Sequence, residues 1–116
     1  MSPRSWIIRI NDMIKAIDEA SAIVKHSNVE LFKNDRAAVL ASLACIQILG
    51  EASNHIPIEV KRKYHEVPWG QIKGMRNRVA HEYFEIDEEI VWSTCKVDMP
   101  KLRALLVKIL DSVKLD

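Results

Sequence analysis

The chain has 116 residues, of which 48% are hydrophobic and 28% charged, with three glycines, four prolines and a formal net charge of +1. This length suits one domain with one modest core, and the composition excludes a disordered chain and favours a compact, mainly helical one. A net charge so close to zero also excludes a protein that is basic throughout and binds nucleic acid indiscriminately. We therefore expect residues 1–116 to form one helical domain.

The first segment predicts an amphipathic helix that runs to about His26. Ser2 and Pro3 form a helix-start signal. Apolar side chains then recur at helical spacing at Trp6, Ile10, Met13, Ile14, Ile17 and Val24. Charged residues interrupt this apolar pattern, which is typical neither of a signal peptide nor of a membrane span. We expect a cytoplasmic protein without a membrane partner.

A second helix is predicted to begin after a cap at Asn34 or Asp35 and to end before Pro57. It is apolar over most of its circumference, so it must be covered on more than one side, either as the central helix of a bundle or by a partner subunit. Gly50 in its interior costs roughly 1 kcal/mol relative to alanine. We interpret this glycine as a sign that another backbone approaches closely.

The remaining chain predicts three more helices after a charged connector, residues 57–68, that has room for a short helix. Pro68 opens the third helix, Asp87 caps the fourth, and Asp98 with Pro100 begins the last one. No segment alternates with period two. The predicted fold is therefore all-α, an up-and-down bundle of four to five helices.

The two cysteines, Cys45 and Cys95, lie within helical patterns and form no C-x-x-C pair. This spacing favours reduced core residues over a disulfide or a zinc site. Trp69 and Trp92 recur with other apolar residues at helical spacing, so they are predicted to be core residues.

The stretch GMRNRVAHEYFEIDEEI, residues 74–90, lies where a basic block meets an acidic one. The basic block, residues 60–78, holds six cations against Glu66: Lys61, Arg62, Lys63, Lys73, Arg76 and Arg78. Tyr64 and His65, in the same block, are predicted to be surface residues. Such a distribution creates a local positive field although the whole chain is nearly neutral.

Arg76 and His81 are of residue types that suit work on a phosphodiester. A guanidinium pairs with phosphate oxygens, and an imidazole moves protons near neutral pH. On an unbroken helix the two would point about 140° apart, so the chain must leave the helix between them, or they must meet across a symmetric partner. RNA supplies its own 2'-hydroxyl nucleophile, so no metal is needed. The competing interpretation is a solvated helix end with Tyr83 tucked against the core.

The arrangement of Arg76, four residues, His81, one residue and Tyr83 resembles the R-x-x-x-x-H-x-Y motif of HEPN-domain ribonucleases, and most closely that of HepT toxins. The blocks GEASNHIP, PWGQIKGMRNRVAHEYF, the acidic turn with VW, and DMPKL are also similar to HepT-type blocks. The resemblance covers nearly the whole chain.

The resemblance implies a five-helix bundle that forms a homodimer or a higher oligomer, with paired motifs in a cleft at the interface. It implies a metal-independent endoribonuclease without a cofactor, in which Arg76 contacts the scissile phosphate and His81 transfers protons. Asn77 would assist by positioning. The cations that would hold the RNA backbone are Lys73, Arg78, Lys61, Arg62 and Lys63.

The resemblance also implies a protein partner, because HepT toxins are typically encoded beside MntA, a minimal nucleotidyltransferase antitoxin. MntA transfers AMP from ATP to the motif tyrosine, which is Tyr83 here. Adenylate groups beside His81 would obstruct the cleft and repel RNA. The alternative function is a non-catalytic helical module that binds such a nucleotidyltransferase.

Glu51 and His55, four residues apart on one helical face, could hold a divalent metal together with His65 or His81. No second Glu-His pair completes such a site, so we expect no metal there. We predict instead that Glu51 orders a polar group near the interface, with Arg76 as its partner.

Overall fold

The structure is a computed structural model, and it describes residues 5–114. These residues form seven α-helices and one π-helical turn: α1 (Ser5–Val24), α2 (Val29–Lys33), α3 (Arg36–Asn54), α4 (Ile58–Lys63), α5 (Trp69–Val79), α6 (Glu88–Ser93), the π-helical turn Thr94–Asp98, and α7 (Met99–Lys114). Within this range the β-type pairing is limited to one isolated bridge between Ala80 and Ile86. The prediction of an all-α fold is confirmed. The predicted start of α1 at Ser2 and Pro3 lies outside the described residues.

The central helix is α3, which packs against α1 and α5, while α1 also packs against α7. This position explains why α3 is apolar over most of its circumference. Of the described helices, it is the one that is long and apolar enough to cross a membrane by length and composition. Its packing on α1 and α5 accounts for that composition. Leu40 and Ile48 remain 38% and 46% exposed, so part of its surface is uncovered.

Side-chain caps begin three helices where the sequence places a short polar residue. Asp35 Oδ1 accepts a hydrogen bond from the Ala38 amide at 3.0 Å, and Asp87 Oδ1 accepts one from the Ile90 amide at 3.1 Å. Asn28 caps α2 in the same way. Each such cap stabilises a helix by about 1 kcal/mol. The predicted caps at Asp35 and Asp87 are confirmed.

The last helix, α7, begins at Met99, directly after Asp98, but it is not separated from α6 as the prediction of two helices required. Residues 88–114 run as one continuous helical segment, in which the π-helical turn joins α6 to α7. A proline inside a regular helix lacks an amide donor and its ring clashes with the carbonyl four residues earlier. The π-helical turn before Pro100 widens the helix, and the Met99 amide donates to the Thr94 carbonyl there. Asp98 and Pro100, which predicted a boundary between two helices, therefore lie at a π-bulge within one helical segment.

Buried apolar side chains from the long helices form one contiguous core. Phe32 packs on Trp92 with ring centroids 5.5 Å apart, and Trp69 packs against the same core. Cys45 and Cys95 are buried and free. The predictions for the tryptophans and the cysteines are confirmed.

Tyr64 is only partly exposed, in contrast to the predicted surface position. It packs against the core, and its hydroxyl lies 2.7 Å from Ser112 Oγ on α7. The Trp69 indole donates to the Tyr64 carbonyl at 3.1 Å. These contacts tie the connector after α4 to α5 and α7. His65 is exposed, as predicted.

Candidate active site

The stretch that carries Arg76 and His81 leaves the helical conformation directly after α5. Ala80 is extended, with φ −161° and ψ 133°, and pairs with Ile86 in the antiparallel bridge. The Asp87 amide donates to the Val79 carbonyl at 2.9 Å. Residues His81–Glu85 therefore form a short loop, here called the motif loop, whose two ends are joined by hydrogen bonds. The chain therefore leaves the helix between Arg76 and His81, which is one of the two predicted alternatives; a meeting of the two side chains across a symmetric partner stays a prediction.

The motif loop folds back over the Arg76 side chain. Arg76 Nη1 donates a long hydrogen bond of 3.4 Å to the His81 carbonyl oxygen, and its Cζ lies 5.8 Å from the centroid of the Tyr83 ring. Arg76 is partly buried, whereas His81 is exposed and Tyr83 is 56% exposed. The tyrosine is therefore not tucked against the core. One chain therefore brings the Arg76 guanidinium into contact with the His81 backbone carbonyl and the Tyr83 ring, while the His81 residue is exposed.

This arrangement leaves Arg76 able to bind an anion. A guanidinium has five N–H donors in a planar fork, and its contact with the His81 carbonyl engages only Nη1. The neighbouring Tyr83 ring supports the cation through its face. A phosphate that approaches from solvent would find further N–H donors on Arg76.

A shallow cleft of about 160 Å³ lies between α3 and α5 beside Arg76, and Asn77, Lys73 and Glu51 line it. The predicted ion pair between Glu51 and Arg76 is wrong: no such pair forms among residues 5–114. The Glu51 carboxylate instead accepts from Gln47 Nε2 at 3.3 Å, one turn earlier on α3. The hydrogen-bond partner of Glu51 is therefore a neighbour on its own helix, although Arg76 lines the same cleft.

Three of the predicted RNA-binding cations lie in the last turn of α4: Lys61, Arg62 and Lys63. The Lys61 ammonium lies 5.8 Å from the Trp69 ring centroid and the Lys63 ammonium 5.5 Å from that of Tyr64. These aromatic contacts orient the two lysines on the surface. Their role in RNA binding stays a prediction.

Arg78 has a different environment from Arg76, although only one residue separates them. Its Nη2 donates to Asp98 Oδ2 at 2.9 Å and to Thr94 Oγ1 at 3.2 Å. Residues two apart on an α-helix point about 160° away from each other. The structure thus directs Arg78 to the π-helical turn and away from the Arg76 side of α5. Its predicted RNA contact is not tested by this geometry.

Residues 13–109 match the family described as ribonuclease HepT-like. The chain belongs to the HepT-like ribonuclease family. It is 32% identical over 100 residues to a Thermococcus cleftensis protein named "Probable ribonuclease HepT", which covers 86% of this chain and 91% of that protein. The family match includes all of α3, α4, α5 and α6 and most of α7.

Two further HepT-like relatives carry provisional names as RNases. One, MJ1216 of Methanocaldococcus jannaschii, is 30% identical over 103 residues, which are 89% of this chain and 85% of the relative. The other, from Caldanaerobacter subterraneus subsp. tengcongensis, is 35% identical over 91 residues, which are 78% of this chain and 81% of the relative. No solved structure matches the chain.

Two side chains that spacing did not single out also lie at the motif loop of this HepT-like chain. Arg36, at the start of α3, donates from Nη2 to the Tyr83 carbonyl at 3.4 Å. Phe84 is 92% exposed. Arg36 is 47 residues from Tyr83, so no local pattern could reveal their contact. An aromatic residue inside an acidic loop was the available signal for Phe84.

Among residues 5–114, no group of three or more His, Cys, Asp or Glu side chains could hold a metal ion. Glu51 and His55 face a second polar cleft, between α1 and α3, that is also lined by Arg9 and Lys15. Asp12 and Glu19 line the same cleft, and Asp12 pairs with Arg9 at 2.8 Å.

Proposed function

We propose that this HepT-like chain is an endoribonuclease that cleaves RNA without a metal ion and acts as the toxin of a toxin–antitoxin pair. The observation that carries the proposal is the fold of the motif loop over Arg76, with the His81 carbonyl 3.4 Å and the Tyr83 ring 5.8 Å from the guanidinium. The names of the relatives support the same reaction class. In this proposal the reaction takes place in the cytoplasm.

The reaction is a transesterification. His81 accepts the proton of the RNA 2'-hydroxyl, the oxygen attacks the adjacent phosphorus, and the bond to the 5'-oxygen breaks. That oxygen receives a proton from a second imidazole, and a 2',3'-cyclic phosphate remains. Arg76 stabilises the charge that grows on the phosphoryl oxygens. Asn77, on the same cleft, positions the substrate.

A homodimer supplies the second imidazole, because one His81 cannot act as base and acid in the same step. The uncovered apolar side chains of α3, Leu40 and Ile48, support such an interface. RNA would also contact Lys73 on α5 and the cations of α4. Each of these contacts adds affinity without reading the base sequence.

A nucleotidyltransferase antitoxin would silence the enzyme through Tyr83. The tyrosine oxygen attacks the α-phosphorus of ATP, loses its proton and releases pyrophosphate. The exposure of Tyr83, 56%, allows access to a modifying enzyme. Its position against Arg76 would then direct the added phosphate to the guanidinium that binds RNA. Modification and substrate binding would therefore exclude each other.

The cleavage assay uses unmodified protein with total RNA or tRNA in the presence of a chelator, followed by end-group analysis. We expect 2',3'-cyclic phosphate ends, and loss of cleavage in His81→Ala and Arg76→Ala. His26→Ala, an exposed histidine at the end of α1, is the control that retains activity. Absence of cleavage by the wild type would favour the non-catalytic module that binds a nucleotidyltransferase. Ends produced by water attack would contradict the mechanism.

The regulatory step is tested by intact mass. The protein is incubated with ATP and a neighbouring nucleotidyltransferase, and the modified peptide is sequenced. We expect one or more AMP groups on Tyr83 and loss of cleavage, with Tyr83→Phe and Tyr64→Phe as the paired variants. An unmodified Tyr83 peptide would count against this part of the proposal.

A further inference from the structure

We infer that Arg78 is a positioning residue, which holds the end of α5 against the π-helical turn and thereby fixes the motif loop over Arg76. This inference rests on the proposed ribonuclease function for its kinetic consequence. In this inference Arg78 does not bind a phosphate. It makes a structural contact that determines the position of the motif loop and therefore of His81.

The contact has two acceptors on one nitrogen. Arg78 Nη2 donates to Asp98 Oδ2 at 2.9 Å and to Thr94 Oγ1 at 3.2 Å. Thr94 is fully buried, so the guanidinium also satisfies a hydroxyl that solvent does not reach. The Arg78 and Asp98 side chains are 49% and 43% exposed. The pair therefore lies at the surface but extends into the core.

The π-helical turn supplies both acceptors, because Thr94 is its first residue and Asp98 its last. A π-helical turn contains one residue more than a regular one, and such bulges occur often at functional sites. The extra residue changes the direction in which Asp98 leaves the helix relative to an unbroken α-helix. The bulge before Pro100 thus sets the place where the Arg78 guanidinium is held.

Hydrogen bonds and the backbone connect Arg78 to both ends of the motif loop. Val79, the next residue, accepts from the Asp87 amide, and Ala80 pairs with Ile86. Asp87 caps α6, and α6 continues into the π-helical turn that holds Arg78. The motif loop is therefore anchored at both ends to the same rigid segment. Release of Arg78 removes one anchor and shifts His81 relative to Arg76.

A phosphate contact and a positioning contact predict different results when the Asp98 carboxylate is removed. If Arg78 binds RNA, removal of the Asp98 carboxylate frees the guanidinium and strengthens RNA binding. If Arg78 positions the loop, the same change leaves binding nearly unchanged and slows cleavage, since a displacement of about 1 Å costs up to about 100-fold in rate. Stronger RNA binding therefore indicates the phosphate contact, and slower cleavage at unchanged binding indicates the positioning contact.

The matched control is the ion pair between Arg103 on α7 and Asp18 on α1. Arg103 Nε donates to Asp18 Oδ1 at 2.6 Å, with side-chain exposures of 45% and 52%. This pair has the same chemistry and nearly the same exposure as Arg78–Asp98. Among the described residues, neither Arg103 nor Asp18 makes a hydrogen bond or an ion pair with α5 or the motif loop. Asp18→Ala therefore reports the general cost of losing such a pair.

The experiment measures kcat, KM and the salt dependence of RNA binding for wild type, Asp98→Ala and Asp18→Ala. We expect Asp98→Ala to lower kcat at least tenfold with KM within twofold, and Asp18→Ala to match wild type. The exchanged pair, Arg78→Asp with Asp98→Arg, should recover part of kcat. Unchanged or faster cleavage by Asp98→Ala would overturn the inference. So would a fall of about 0.7 in the salt slope of Arg78→Gln, the amount expected for one lost phosphate contact with a single strand.

Amide hydrogen exchange keeps the inference separate from the proposed function. If the wild type cleaves no RNA, the ribonuclease proposal fails by itself, and the role of Arg78 is then decided by the Ala80 and Asp87 amides. We expect both to exchange at least fivefold faster in Asp98→Ala than in Asp18→Ala, while α1 amides such as that of Ile17 stay equal. Equal exchange at Ala80 and Asp87 in the two variants would overturn the inference.

Discussion

The two sides of α5 each carry an arginine, and the two arginines have different environments. On the α3 side, Arg76 lies beside a polar cleft and meets a loop carbonyl and the Tyr83 ring. On the α7 side, Arg78 is held by a carboxylate and a buried hydroxyl. The first guanidinium keeps donors for a ligand, and the second uses its charge within the fold.

The difference shows that the neighbours of an arginine, and not its place in a basic block, decide what it can bind. Asp98 and Thr94 are 20 and 16 residues from Arg78 in the chain. Their contact neutralises a charge that the sequence alone would count as part of an RNA-binding surface. Of the two arginines, Arg76 is the one whose described contacts are all with neutral groups.

Loss of the core contact beneath both sides should have the largest effect. Ile72 is 1% exposed and packs α5, the helix that carries both arginines, against the core. We expect Ile72→Ala to lower the free energy of unfolding by about 2–5 kcal/mol, because it leaves a cavity, and to weaken both sides together. Urea denaturation measures the change. The control is Ile8→Ala, whose side chain is 61% exposed, with an expected change within about 0.5 kcal/mol. Equal losses would contradict the assigned core.

Lysine substitutions should sharpen the contrast between the arginines. Arg76→Lys keeps the charge but loses the planar fork, so we expect kcat to fall about 100-fold. Arg78→Lys can still form an ion pair with Asp98, so its fall should be less than about tenfold. Steady-state cleavage with a defined RNA measures both. A larger loss for Arg78→Lys would reverse the assignment of the two sides.

Local patterns in the sequence were sufficient to predict the all-α fold, the long helices and two of the caps. The apolar spacing of α1 and the caps at Asp35 and Asp87 depend on residues within a few positions of one another, where a helix imposes fixed geometry. The exit from α5 was also predictable, because Arg76 and His81 could not meet on an unbroken helix. Of the candidate site, the part that lies within one stretch of chain was therefore accessible.

Contacts between distant segments were not accessible in this way. Arg78 and Asp98 belong to different helices, and their distance depends on a π-helical turn that no periodicity indicates. Pro100 was interpreted as part of a boundary because a regular helix does not accept it. The predicted pair of Glu51 with Arg76 failed for the opposite reason: a partner on the same helix, Gln47, lies closer.

Alkaline pH should weaken the α7 side through Cys95, which lies in the π-helical turn. Burial raises the pKa of the Cys95 thiol to about 12. The unfolded chain releases this proton near pH 8.5, so the contribution to stability is complete below that pH and is lost as the pH rises towards 12. The slope is at most about 1.4 kcal/mol per pH unit.

Cys95→Ala should flatten this alkaline decline. The free energy of unfolding, measured by urea between pH 8 and pH 10.5, gives the slope for wild type and variant. Burial also raises the pKa of Cys45, so Cys45→Ala is the paired variant and should flatten the curve less. Parallel curves for wild type and Cys95→Ala would contradict a protonated, buried thiol in the π-helical turn.

The smallest effect is expected on the α3 side, at Gly50. A Cβ there would lie 3.8 Å from the Ile72 carbonyl oxygen, an ordinary van der Waals distance, so the α5 backbone is near but leaves room for a methyl group. Gly50→Ala should therefore stabilise the protein by about 0.5–1 kcal/mol through the helix propensity of alanine. Gly74→Ala on α5, where a Cβ meets nothing within 4 Å, is the matched control. If Gly74→Ala stabilises the protein in urea denaturation and Gly50→Ala destabilises it, α3 and α5 must approach more closely than this structure shows, and the open cleft beside Arg76 would be narrower as well.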